Sequence, residues 1–432
     1  MKNFKHKLLT LAGIAFLSTL LLGAGWYKPY LSNKSAVNSI LGCTYQVNFS
    51  TTDLFEAAAQ LNKKVENKQF AGLVFANPHD KNCSSCDVIA CDAFNHPELV
   101  QSLNRNFINV DMKTESMRNF NLSRAMRLGD RPASLFMRSN NQMVDIARDV
   151  KNAKDILDAV DYYSKKYSRT SYGDINKSFE KYAGGVRDAA FLHEFAMQLK
   201  ILGLPYNSII NEYLNQQPVD SIYSKFNRSF YWEFSDNLEN KAIEYFLRDL
   251  EFYKAGMGST RVNDRLKMSI YNTIATAISE RDDALFRKAV SIAEKAHIPY
   301  VEDFTYYIKT EYYEGIKDWD SFVKLTVKYI EDYKISDPQF LQVAADKFYL
   351  YVDNKKDLER AREWAGQSFS IWGDYNSCIL MAKISRKLEK CQDAVEWAGK
   401  SIEIAQKSGI DYTEAAKLID NIRARGCKEP QP

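Results

Sequence analysis

Two stretches near the end of this chain match at a fixed interval, and that interval limits what the second half can fold into. Ala361-Arg-Glu-Trp-Ala-Gly-Gln-Ser-Phe-Ser-Ile371 and Ala394-Val-Glu-Trp-Ala-Gly-Lys-Ser-Ile-Glu-Ile404 agree at seven of eleven positions, 33 residues apart. A period of this length marks stacked helix–turn–helix units. Each unit leaves an apolar face exposed that only a neighbouring unit can cover. A fainter unit runs from Phe304 to Tyr329. From Ser171 onward the pattern is amphipathic helix throughout, broken at Gly184-Gly185, Gly203-Leu204-Pro205, Gln217-Pro218 and His297-Ile298-Pro299. The 26 Tyr and 24 Phe recur there at helical spacing and read as helix–helix packing.

The first half has a different rhythm. At 432 residues the chain is too long for a single core, so two domains are expected. Residues 53–66 read as a helix with Asp53 and Glu56 at capping-box spacing. Ala71–Ala76 is a short apolar run of the kind buried on both faces of a sheet, ended by Asn77-Pro78. A turn with two cysteines then opens a second helix, and Phe107–Met112 alternates as a strand. A helix around Asn119–Leu128 leads to Gly129-Asp130-Arg131-Pro132. Ser134–Met137 and Met143–Ala147 are strands joined through the turn-rich Ser139–Gln142, and a helix at Ala153–Tyr167 closes the unit. The fold class expected is an α/β domain, a central mixed sheet flanked by helices, followed by an all-α helical-repeat domain. Its limits are 51–168 for the sheet domain and 171–432 for the helical one, with the repeats clearest at 337–407.

The leader carries Lys2, Lys5 and Lys7, then an uncharged run from Leu8 to Tyr27 that includes Gly23-Ala24-Gly25. This is an export signal over 1–27, either cleaved or retained as an inner-membrane anchor through residues 8–27. The lysines keep the N-terminus inside, so the body crosses the membrane in both cases. Residues 28–50 are polar and read as a linker. Ile40-Leu41-Gly42-Cys43 has a lipobox-like look, but it lies behind the polar segment Ser32–Ser39 and reads as coincidence. The net charge of +3, from 58 basic and 55 acidic residues, leaves no electrostatic footprint for nucleic acid.

Chemistry gathers at Cys83-Ser84-Ser85-Cys86. At the start of a helix, unsatisfied N–H groups and the macrodipole stabilise a thiolate, and a thiolate is the nucleophile. The spacing brings the second sulfur within reach of the first, so a mixed disulfide resolves within the molecule. Cys83 is expected to attack and Cys86 to resolve. Half of a zinc site is the poorer reading, because no second Cys-X-X-Cys and no histidine pair at ligand spacing is present. A static structural bridge remains as an alternative. Cys91 reads as a buried hydrophobe, and Cys378, Cys391 and Cys427 as unreactive packing or surface residues. With seven cysteines, at least one thiol must be free or joined to a partner molecule.

Residues 53–167 resemble a thioredoxin-like domain. The resemblance rests on the cysteine pair between strand and helix, then Phe94-Asn95-His96-Pro97-Glu98-Leu99, Asn104-Arg105-Asn106-Phe107-Ile108, and Arg131-Pro132. It implies a thiol–disulfide oxidoreductase with Cys83 and Cys86 catalytic. It also implies that Pro132 is a cis-proline beside the pair, with Arg131 and Pro132 contacting an extended substrate strand. The chain departs from the family at Asn82, Ser84-Ser85 and Arg131, where Trp, Gly-Pro and a small residue are usual. The last two helical units resemble tetratricopeptide-type arrays, which implies a concave surface that recruits a protein partner. No cofactor is called for. The expected partners are protein or peptide thiols and disulfides and an electron donor, in the periplasm or cell envelope of a bacterium. The alternative is a non-catalytic interaction protein built on the same scaffold.

Overall fold

The structure, a computed structural model, describes residues 45–66, 73–79, 84–114, 116–129, 132–168, 172–333 and 335–427. The expected leader, and the segment that follows it to residue 44, lie outside these. Residues 45 to the end form one compact unit. Among the described residues its sheet has five strands: β1 (Phe49–Thr51), β2 (Leu73–His79), β3 (Phe107–Lys113), β4 (Ala133–Met137) and β5 (Met143–Arg148). They lie in the order β1-β3-β2-β4-β5. β3 runs parallel to β1 and β2, β4 runs antiparallel to β2, and β5 returns antiparallel along β4. Five helices belong with the sheet: α1 (Leu54–Glu66), α2 (Ser84–Ala93), α3 (Pro97–Asn106), α4 (Met117–Met126) and α5 (Ala153–Ser168).

Three sequence expectations shift. The linker expected to reach residue 50 ends sooner: Val47 is buried, Tyr45 and Phe49 pack edge-on against Phe94, and Phe49–Thr51 pairs with β3. The strand expected to stop at Ala76 continues through Pro78. β4 pairs only as far as Ala76, and beyond it β2 has β3 as its ladder partner, which leaves room for a residue without an N–H. The helix after the cysteine turn is two helices, because Pro97 starts a new one at its first-turn position. At the head of α1, Asp53 Oδ1 accepts from the Phe55 and Glu56 N–H groups, 2.9 and 3.0 Å. The Glu56 carboxylate takes the Thr51 hydroxyl rather than closing the expected box.

Alternation along the strands sorts residues onto two faces. Leu73, Phe75, Phe107, Phe136 and Val144 join α2, α3 and α5 in one core. Val74, Ala76, Ile108, Val110, Leu135 and Met137 face the other way onto α1 and α4, in a core continuous with the helices beyond residue 172.

Those helices are α6 (Tyr172–Ala183), α7 (Ala189–Ile201), α8 (Asn207–Asn215), α9 (Lys225–Phe234), α10 (Ala242–Arg248), α11 (Leu250–Met257) and α12 (Ser259–Glu280). After them come α13 (Asp283–Lys295), α14 (Val301–Ile316), α15 (Trp319–Tyr333), α16 (Pro338–Tyr351), α17 (Lys355–Trp372), α18 (Tyr375–Lys387), α19 (Cys391–Ser408) and α20 (Thr413–Arg425). The sequence repeat falls on α17 and α19. Both end on a glycine in the left-handed region, Gly373 (φ 62°) and Gly409 (φ 66°), a conformation that favours glycine. The matched residues lie about one turn nearer the start of α19 than of α17. Cys391 and Cys427 are joined in a disulfide that ties the start of α19 to the end of α20. The expectation that both were unreactive is thereby corrected: their 36-residue separation closes a whole helical hairpin.

α4 is the hinge of the assembly. Phe120 packs against Tyr307 of α14 and Phe340 of α16, with ring centroids 6.0 and 6.2 Å apart. The Asn121 amide donates to Glu311 and Glu314, each at 3.0 Å, and Lys347 donates to Glu314 at 2.6 Å. Burial, with Glu314 adding its charge, raises the Glu311 carboxyl above its usual range. The outer strand β5 meets α12, where Asn272 imitates a strand neighbour. Its Oδ1 accepts from the Met143 N–H at 2.8 Å and its amide donates to the Met143 carbonyl at 2.9 Å. An edge that would otherwise invite another chain is closed at that point.

Candidate functional site

The cysteine site is assembled at the end of the sheet where β2 runs out. α2 begins at Ser84, directly after Cys83, which itself lies outside the described residues. Cys86 sits in the first turn of α2, 6% exposed, and its sulfur is in a disulfide bond. Ala90 and Ala93 on the inner side of α2, with Phe94 directly after it, pack onto Phe75 and the rest of that face's core, which fixes the helix relative to the strand that feeds it. Cys91, expected as a buried hydrophobe, is half-buried and also disulfide-bonded. Among the described residues the free thiol is Cys378, buried in α18 and donating to the Trp397 carbonyl at 3.4 Å. Burial pushes that thiol up to about 12, so it is not a nucleophile at neutral pH.

Of the two substrate-contacting residues expected, Arg131 lies outside the described residues and Pro132 is half-buried at the head of β4. The antiparallel register Ala76↔Leu135 carries Pro132 towards the end of the sheet where β2 gives way to the cysteine turn. That corner is held from the helical side. Arg148 at the end of β5 forms a two-point ion pair with Asp264 of α12, 2.5 and 3.1 Å, while donating to the carbonyls of Met126 and Arg127. Arg127, which ends α4 in a left-handed conformation, stacks its guanidinium 3.9 Å from the centre of the Tyr300 ring. The loop leading to Pro132 thus starts from a helix end held by Arg148, which is itself paired with Asp264 of α12, and by Tyr300 of the helical region.

A carboxylate stands at the mouth of α2. Asp87 lies in the first turn, where a carboxylate complements the helix dipole. The Tyr45 hydroxyl is pushed up by burial first, then by Asp111 and Asp87, so both carboxylates act on that corner. Among the described residues no three His, Cys, Asp or Glu side chains gather to hold a metal ion.

Two further features gave no signal in the sequence. One is a polar cavity between α5, α7, α9 and α12, built on Arg138, Lys200 and Asp236. The other is a groove of about 800 Å³ between α15 and the α16–α17 turn, floored by Val323 and Val327 beside the stacked rings of Trp319 and Tyr351. Single charges spaced along amphipathic helices look like solvent-facing residues, and no periodicity distinguishes those that end up buried.

No protein-family model, no curated protein and no solved structure matches this chain.

Proposed function

We propose that this chain is an exported thiol–disulfide oxidoreductase with a thioredoxin-like sheet domain, whose helical region recruits the protein it acts on. The observation that carries the reading is Cys86: bonded, nearly sealed from solvent, and set in the first turn of a helix that leaves the sheet directly after Cys83. A buried resolving sulfur in the first helical turn, with Cys83 three positions earlier in the sequence, supports exchange chemistry. Cys86 and Cys91 are separated by five residues on one helix, about 7.5 Å of axial rise, beyond the reach of a disulfide. Cys86 and Cys91 are therefore each bonded to another cysteine and not to one another. In this reading the two-residue interval makes Cys83 the partner of Cys86. So many bonded cysteines outside the redox pair support an oxidising compartment, as the leader implies.

In the reducing direction, the Cys83 thiolate attacks one sulfur of a substrate disulfide. A mixed disulfide forms and the other substrate sulfur leaves as a thiolate that takes a proton. The Cys86 thiolate then attacks the Cys83 sulfur, the second substrate thiolate departs and is protonated, and the Cys83–Cys86 bond re-forms. Two electrons have passed to the substrate, and an external dithiol must restore the pair. Asp87, next to Cys86 in sequence, is a negative charge that would oppose a thiolate here and so favour the reducing direction.

Insulin reduction with dithiothreitol as donor tests the reading. The wild type is expected to accelerate precipitation of the insulin B chain, Cys83→Ser to abolish the effect, and Cys86→Ser to accumulate a mixed disulfide visible on a non-reducing gel. No acceleration by the wild type and no trapped species in Cys86→Ser would leave the pair as a structural bridge.

A further inference from the structure

The seam between the sheet domain and the helices contains a half-enclosed polar cavity of about 60 Å³. Its floor is Arg138 from the end of β4, Lys200 from α7 and Asp236 after α9, with side chains only 5%, 3% and 3% exposed. Its mouth is Tyr162 and Arg261, both largely exposed.

The charges around it do not balance. Arg138, Lys166, Lys200, Arg261 and Arg265 face three carboxylates, Asp145, Glu233 and Asp236. Each carboxylate is already engaged. Glu233 takes Lys166 on both oxygens at 2.9 and 2.8 Å and Lys200 at 3.2 Å. Asp236 takes the Tyr206 hydroxyl at 2.5 Å, Lys200 at 3.1 Å and Arg138 at 3.3 Å. Asp145 takes the Tyr163 hydroxyl. Arg265 turns to the Trp232 and Glu233 carbonyls at 2.7 and 2.8 Å. Two donors remain. Arg138 Nε is buried without a hydrogen-bond partner, and Arg261 comes no nearer than 3.8 Å to Asp145.

A buried guanidinium N–H left unpaired is costly, and so is a surplus of positive charge in a poorly solvated site. Lys200 sits in the same setting: its ammonium is pushed down to about 8, first by desolvation, with Arg265 and Arg138 adding to it against the pull of Asp236 and Glu233. An anion in the cavity relieves both. One water needs only about 10–15 Å³ of such space, so the cavity admits something larger.

We propose that this cavity is a binding site for a small tetrahedral oxyanion of the phosphate or sulfate type, held by Arg138 Nε and Arg261 with Lys200 behind. The site shares no residue with the cysteine pair and stands whether or not that pair is redox-active.

Isothermal titration of the full chain at constant ionic strength, with chloride as the background anion, tests it. Inorganic phosphate and sulfate are expected to bind with one site per chain, and acetate at least about tenfold more weakly. Arg261→Met, at the exposed mouth, is expected to weaken phosphate by at least about tenfold, or 1.4 kcal/mol, while its melting temperature in chloride stays that of the wild type. No saturable binding of either oxyanion would overturn the proposal. So would equal binding by wild type and Arg261→Met, or acetate binding as tight as phosphate, which would mark a carboxylate site.

Discussion

The two faces of the sheet have different fates. One, with Phe75, Phe107 and Phe136 on it, is covered by α2, α3 and α5, elements of its own half of the chain. The other, with Val74, Val110 and Leu135, opens through α1 and α4 into a core that runs without a break to Leu388. In an α/β unit both faces need cover. Here local helices supply most of the cover on one of them, joined at the rim by Ile201 of α7, and on the other they form only the first layer of something larger. The seam adds polar contacts that neither half can satisfy alone: Asn272 on the edge of β5, Asn121 between Glu311 and Glu314, and Arg148 on Asp264. The helical region is therefore part of the platform that positions the Pro132 corner.

Three substitutions break or sharpen this contrast. The largest effect is expected from Phe120→Ala on the shared face, which removes a ring packed between Tyr307 and Phe340. Loss of a buried Phe costs about 3–5 kcal/mol, and the melting transition of the whole chain should fall as one. If a first transition in the calorimeter reports only the helices while the sheet melts unchanged, the faces are not coupled as described. Next is Cys427→Ser. Opening a loop of this size costs about 2–4 kcal/mol, and the loss should be confined to the final hairpin. Limited proteolysis should cut first in α19 and α20 while the sheet stays protected, and early cuts near α4 would contradict this.

The smallest effect follows from pH. Desolvation alone would raise the Glu233 carboxyl, but Lys200 and Lys166 outweigh it and hold the group at about 2, below its ordinary value near 4.5. The unfolded chain takes up this proton first. Stability from Glu233 is thus fully present above pH 4.5 and is lost as pH falls towards 2. Glu233→Gln should flatten that limb of a stability–pH curve relative to wild type, and parallel curves would show that the network does not use this charge.

Much of this layout was legible in the sequence, for identifiable reasons. The apolar run before the cysteines and the turn-rich Ser139–Gln142 each specify their elements locally; β4 and β5 lie where expected, and β2 includes the apolar run but continues past its expected end at Ala76. The repeated Trp364 and Trp397 fall on α17 and α19. β1 escaped because Phe49-Ser50-Thr51 has one apolar residue and gains its identity only by pairing with β3. α3 escaped because Pro97 reads equally as a breaker and as a first-turn residue. The Cys391–Cys427 bond could not be read at all, since cysteine positions do not encode connectivity. Nor could the burial of Arg138, Lys200 and Asp236, which arises when distant helices meet. At the candidate site, position was legible in Cys83-Ser-Ser-Cys86. That Asp87 and Asp111 both act on Tyr45 required the fold, because Asp111 arrives on β3.

The reduction potential of the Cys83–Cys86 pair in the intact chain tests the central claim most directly. Cys378 is too deeply buried to exchange, and Cys391–Cys427 can be followed separately by mass mapping. The account predicts a value within the exchanger range, about −270 to −120 mV and towards its reducing end. Asp87→Asn should move it about 10–30 mV in the oxidising direction, a step worth at most about 1.4 kcal/mol. A potential below about −300 mV, unchanged in Asp87→Asn, would identify a structural bridge and contradict the account.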